Sequence, residues 1–144
     1  MPYEKCREII PILKMRIVQE QPPIIDQLGK VFRLPAGAIF TFGDVIYNPS
    51  GNPIDQPLLM HEGTHSLRQG NDPSGWWQKY IKDDKFRLGE ELLAYRVQYG
   101  EAKKYIKDRN ALAKYLFRLA GDLSSAMYGN VITRGEALKL IKMT

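Results

Sequence analysis

The sequence predicts an α+β domain, mostly helical, with a small β-sheet whose edge strand comes just before the first long helix. Two observations carry this expectation. Several segments repeat apolar residues at helical spacing and end in start or stop residues. Two earlier runs, Ile12 to Val18 and Ile39 to Tyr47, are instead rich in β-branched and aromatic residues. The chain has 144 residues, which suits a single domain. Its expected core covers about 12–107, and a basic helical part covers 108–144. With 44% hydrophobic and 26% charged residues, it can bury a core without covalent staples.

Taken in order, Ile12 to Val18 reads as a strand, broken by Pro22-Pro23. Pro23 can open a helix as its first residue. Ile24, Ile25, Leu28, Val31 and Phe32 then fall on one helical face, and Pro35 and Gly37 end the segment. Ile39 to Tyr47 reads as strand, with Gly43-Asp44 as a bend or bulge. Residues 48–53 form a loop of turn residues. A helix from Gln56 through Gln69 can start at Asp55 and stop at Gly70. Trp76, Trp77, Tyr80 and Ile81 fit one or two turns of packing helix, and Asp83-Asp84 reads as a break. A long helical pattern runs from about Phe86 to Lys107, with Leu88, Leu92, Tyr95, Tyr99 and Ile106 along one stripe. Another spans about Asn110 to Ala120 and ends at Gly121. Thr133 and Glu136 make a capping box for a last helix over Ala137, Leu138 and Ile141.

Charge is uneven. The net charge is +5, and residues 1–100 hold 12 basic and 12 acidic side chains, so the whole excess lies in the last 44 residues. A solvated basic face explains this. Contact with a polyanion is the functional alternative, but no nucleic-acid motif accompanies the charge. Cys6 is the only cysteine, so no intrachain disulfide can form; it reads as an inert, half-buried thiol in a reducing compartment. Lys14 and Arg16 interrupt the apolar run from Ile9 to Val18, so neither a signal peptide nor a membrane span is expected.

The chain has two histidines, and they sit four residues apart in His61-Glu62-Gly63-Thr64-His65. On a helix this spacing stacks both imidazoles on one face. They can then reach one metal at about 2.0–2.1 Å. Glu62 points in a neighbouring direction, where a carboxylate can take a proton from water. Two histidines alone do not hold a catalytic zinc; a third protein ligand and an open position are usual. With no third histidine, and with Cys6 remote in sequence, that ligand should be a carboxylate on another element. Glu90 and Glu91 are the candidates, and helical spacing favours Glu91 slightly. Glu90 then reads as a solvated charge or a partner for a histidine.

With these residues the chain resembles the zincin metallopeptidases, in their gluzincin branch. The similarity rests on His61-Glu62-x-x-His65 followed by Glu91-x-x-Ala94-Tyr95. Thr41, Gly43, Ile46, Tyr47, Leu58 and Gln69 also stand where small zincin-like proteins of bacteriophages and bacteria carry a T-x-G-x-x-I-Y strand and an L-x-x-H-E-x-x-H-x-x-x-Q helix. Tyr128-Gly129-Asn130 with Glu136-Ala137 is similar to phage forms as well. The resemblance covers roughly residues 15–100. It departs at Gly63, where the family often has a bulky apolar residue.

The resemblance implies a minimal zincin-like domain and picks Glu91 over Glu90. It also implies one zinc ion per chain, held by His61, His65 and Glu91. The expected activity is hydrolysis of peptide bonds by metal-activated water, with Glu62 as general base. The strand near Ile39–Tyr47 would pair with an extended substrate. Tyr95, one turn beyond Glu91, is the first candidate for steadying the oxyanion, with Tyr99 and Arg96 behind it. Trp76, Trp77 and Tyr80 read as wedges between helices. Arg68 and Gln69 read as cleft, surface or capping residues. The implied partner is a peptide or protein, such as a peptidoglycan peptide or a virion protein, met in a host cytoplasm or on a virion. A zinc-stabilised structural or interaction protein of a phage is the alternative. A polyanion-binding module built on the basic tail is a weaker one.

Overall fold

The computed structural model describes residues 15–143. Cys6 and residues 12–14 of the first expected strand lie outside the described residues. What is described is mostly helical, with one small sheet: an α+β architecture.

The sheet has three short strands, β1 (Arg16–Val18), β2 (Phe40–Phe42) and β3 (Val45–Tyr47), in the order β1-β3-β2. β1 runs parallel to β3, pairing Ile17 with Ile46, and β2 runs antiparallel to it, pairing Thr41 with Ile46. The run Ile39 to Tyr47 is therefore a hairpin, not one bent strand. Gly43 adopts φ +64 in its two-residue loop. A two-residue hairpin of the type that favours glycine first needs this conformation. Ile46 is fully buried at the centre of the sheet.

Between β1 and β2 lies α1 (Ile25–Val31). It starts two residues after Pro23, because Pro22 and Pro23 are spent in a turn closed by Ile25 N–H on the Pro22 carbonyl, 3.1 Å. Ile24, Leu28 and Phe32 form its buried stripe, whereas Val31 is exposed.

Five more helices follow: α2 (Gln56–Gln69), α3 (Pro73–Lys82), α4 (Asp84–Ala102), α5 (Arg109–Leu123) and α6 (Arg134–Lys142). Each begins at a side-chain cap. Asp55, Asp72, Asp83, Asp108 and Thr133 accept backbone N–H groups of the first turn, satisfying donors that a helix start leaves free. At α6 the Thr133 hydroxyl also donates to Glu136, 3.1 Å. Asp83 alone is the break before α4, and Asp84 is already helical.

Two helix ends differ from the expected ones. α4 stops at Ala102 rather than near Lys107. Lys104 and Tyr105 bond the carbonyls three residues back, 3.1 and 3.0 Å, a tightening common in a last turn. α5 runs through Gly121 to Leu123. This glycine makes room instead of ending the helix, since a Cβ there would meet the Arg134 guanidinium of α6.

α2 and α4 pack along each other and form the spine of the molecule. α3 and α6 lie against α4, and α5 against α6. Trp76, Trp77 and Tyr80 of α3 fill the space between α1, β2 and α4 as wedges. The buried face of α4 is largely polar, with Arg87, Glu90, Glu91, Gln98 and Glu101 all inside. Leu88, Leu92 and Ile106 of its expected apolar stripe are only half-buried.

Candidate metal centre

The central turns of α2 face α4 and bury His61, Glu62 and His65, with Glu62 4% exposed. Helical spacing brings the two imidazoles onto one side, with their Nε2 atoms 3.2 Å apart. Across the helix pair, Glu91 Oε1 lies 3.3 Å from His61 Nε2 and 3.2 Å from His65 Nε2. The three atoms form a nearly equilateral triangle. Neighbouring ligands of a tetrahedral ion with bonds of about 2.0–2.1 Å stand roughly 3.3–3.4 Å apart. His61, His65 and Glu91 thus form a buried group that could hold a metal ion.

The electrostatics agree with this. Glu91 Oε1 is buried without a hydrogen-bond partner; neither imidazole aims an N–H at it with good geometry. An unpaired buried carboxylate oxygen is costly unless a cation takes it up. In the protein without an ion, burial alone would lower the His65 pKa, but Glu91, aided by Glu62 and Glu90, pushes it up to about 9. Burial would raise the Glu91 pKa, and His65 and His61 instead hold it well below the carboxylate range.

Further groups orient these donors. His61 Nδ1 lies 2.8 Å from Gln98 Oε1, and Gln98 donates through Nε2 to the Tyr115 hydroxyl, 3.0 Å. A proton on Nδ1 leaves Nε2 bare for an ion. Tyr80 donates its hydroxyl to Glu91 Oε2, 2.6 Å. Burial and Glu91 raise the Tyr80 pKa far above its usual value, so it stays a donor. The wedge residue thus also touches the site. Trp76 packs its ring against His65, with centroids 5.4 Å apart.

Glu90 is not a solvated charge, and no hydrogen bond joins it to a histidine. It is buried, accepts from Trp76 Nε1 at 2.8 Å, and pairs with Arg68 at 2.9 Å. Gln69 is neither a surface residue nor a helix cap. It donates to the Thr41 carbonyl at 2.8 Å and accepts from Gly43 N–H at 2.7 Å, clamping the end of α2 to the hairpin. Trp77 Nε1 donates to the same carbonyl, 2.9 Å. That point on the β2 edge is occupied and not free to pair with an added strand.

Glu62 stands outside the donor triangle. Its Oε1 accepts from the Thr41 hydroxyl at 2.8 Å, and its Oε2 lies 3.8 Å from His61 Nε2. Tyr95 packs against the His61 ring, centroids 4.6 Å apart, and its hydroxyl shares a hydrogen bond with that of Tyr128, 2.8 Å. Tyr99 is buried in the core beneath Lys103, and Arg96 donates to the Leu140 carbonyl of α6. Neither reaches the site.

No family model, curated protein or solved structure matches the chain.

The sequence gives Tyr128 a place in the family resemblance but no role at the site. Tyr128 sits at the end of a short turn, Ala126–Tyr128, and lines both hollows beside the cluster. The smaller, about 30 Å³, is bounded by Glu62, both histidines and Glu91. That is room for a water or two. The larger, about 280 Å³, is a cleft between α2, α4 and α5 that shares His61, Glu62 and Tyr128 with it. Sequence reasoning missed Arg87. It is buried, donates to the Tyr128 and Tyr80 carbonyls at 2.8 and 2.6 Å, pairs with Asp84, and so fixes the Tyr128 turn. Tyr128 sits in a Tyr-Gly-Asn turn that marks a loop but not its destination.

Proposed function

We propose that the protein is a zinc-dependent peptidase that hydrolyses peptide bonds, with His61, His65 and Glu91 as zinc ligands and Glu62 as general base. The observation that carries this reading is the division of labour between the two carboxylates. Glu91 supplies the third corner of the donor triangle, while Glu62 borders both hollows without joining it. When bound, zinc lowers the pKa of water toward 7 and polarises a carbonyl. Glu62, steadied by Thr41, takes the proton from the attacking water and returns it to the leaving amine. Tyr95 and Tyr128 share one hydrogen bond, so one hydroxyl hydrogen of the pair is left to donate to the developing oxyanion. The pair supports that role better than Tyr95 alone. Peptidoglycan peptides and virion proteins are the first substrates to test. Among the described residues, no helix is long and apolar enough to cross a membrane.

One observation favours a second reading, a zinc-stabilised structural or interaction protein of a phage. All four site side chains are almost completely buried, and the smaller hollow, the one that touches all four, admits little more than water. The deciding experiment compares the zinc-loaded parent with Glu62→Gln on an unstructured protein and on cross-linked peptidoglycan peptides. The peptidase reading expects equal zinc and loss of turnover in the variant. Cleavage by the variant at the parent's rate overturns it. A parent that binds zinc, cleaves nothing and melts far lower on chelation supports the structural role.

A further inference from the structure

We propose that the cleft beside the metal centre recognises a peptide through a carboxylate held by Arg118. This rests on the peptidase reading and names its substrate class. Arg118 lines the 280 Å³ cleft together with His61 and Glu62, so a ligand touching one end lies next to the other. Among the described residues, no carboxylate pairs with its guanidinium within 4.0 Å. Arg118 is exposed, and its planar fork suits a carboxylate.

The guanidinium is also held in place. It lies over the Tyr115 ring, 4.9 Å from the centroid. The Tyr115 hydroxyl is tied through Gln98 to His61. The platform under Arg118 is thus coupled to the metal centre. Beyond Arg118 a surface groove of about 340 Å³ continues past Lys114 and Ile106. This places part of the basic excess of residues 101–144 along the same path.

Besides Glu62, Asp122 also lines the cleft, one turn beyond Arg118 on α5. It disfavours a second anion there and can accept a peptide N–H. The ligand that fits both is a peptide bearing one carboxylate near the bond to be cut. That carboxylate is either an acidic side chain or the chain terminus.

The test uses the zinc-loaded Glu62→Gln protein and alanine-rich peptides acetylated at the amino end, with binding measured by calorimetry, so that binding is read without turnover. One peptide carries a glutamate and an amidated end, a second a glutamine and a free carboxyl end, and a third a glutamine and an amidated end. Binding of the first or second should exceed that of the third by about tenfold, the scale of one charge-assisted contact. The stronger of the two identifies the source of the carboxylate. Adding Arg118→Gln should erase the preference, and Arg118→Lys should restore part of it. Equal binding of all three peptides, or a preference unchanged in Arg118→Gln, overturns the proposal. The peptidase reading is judged separately, by cleavage in the parent. Cleavage without a carboxylate preference sinks only the Arg118 assignment, whereas a preference without cleavage sinks hydrolysis and leaves the anion site.

Discussion

Tyr80 donates its hydroxyl hydrogen to Glu91 Oε2, and this leaves Oε1 as the carboxylate atom that faces His61 and His65. A residue on α3 thereby orients a candidate ligand on α4. Tyr80→Phe keeps the ring and removes the hydroxyl. Zinc affinity should fall by about tenfold to a hundredfold, the usual effect of losing a partner behind a ligand. Competition with a chromophoric chelator measures it; unchanged affinity would mean that Glu91 needs no such support.

The two adjacent glutamates should separate cleanly. Glu91→Ala should abolish stoichiometric zinc, read by metal analysis of the purified protein. Glu90→Ala should keep it. The cost at Glu90 should appear instead as about 1–3 kcal/mol of lost stability, because the buried Trp76 N–H loses its acceptor. Zinc lost from Glu90→Ala and kept in Glu91→Ala would reverse the assignment.

Acid and zinc should compete for the site. With His65 raised to about 9 in the metal-free protein, zinc must displace a proton at neutral pH. Apparent affinity should therefore rise about tenfold per pH unit between pH 7 and 9 and then level off. Stability of the metal-free protein follows the same groups. The raised His65 contributes fully below its ordinary pKa of 6.5, and the contribution fades as pH climbs through 9. The depressed Glu91 contributes above its ordinary 4.5 and loses that contribution as pH falls. Calorimetry in buffers of different ionisation enthalpy counts the protons released. A count of zero at pH 7 contradicts the scheme.

Thr41→Val should spare zinc binding and reduce turnover by about tenfold, with partial recovery in Thr41→Ser, because the hydroxyl that holds Glu62 is lost. If kcat is unaffected while the protein folds normally, Glu62 does not depend on that contact.

Arg87→Met should cost about 2–4 kcal/mol, since the Tyr128 and Tyr80 carbonyls lose a charged donor in the interior. Urea denaturation reads the loss. A change under 1 kcal/mol would show that the Tyr128 turn holds without it.

His61, His65 and Glu91 were legible in the sequence because the signals are local. Four residues set the histidine pair, and a short segment on one helix offered only two glutamates. Two helix starts were legible for the same reason, since Asp55 and Thr133 lie within three residues of the N–H groups they accept. The rest was hidden for a physical reason. Glu90, Arg87 and Gln98 look like solvent-facing residues on a helix, and their burial depends on Trp76, Tyr128 and His61, which lie 14, 41 and 37 residues away. A hydropathy stripe marks polar residues as exterior, so the expected stripe of α4 includes the buried Tyr95 and Tyr99 but not the buried polar residues beside them. Gly121 reads as a stop because local sequence does not show the Arg134 guanidinium packed over it.

Those long separations bear on the order in which the chain assembles. Thr41 meets Glu62 across 21 residues, His61 meets Gln98 across 37, and Tyr95 meets Tyr128 across 33. Closing such loops costs entropy before any contact repays it. The donor triangle therefore cannot exist on a nascent or loosened chain, where the two histidines would offer a weak bidentate grip. Zinc uptake at this site would report that α2 and α4 have come together.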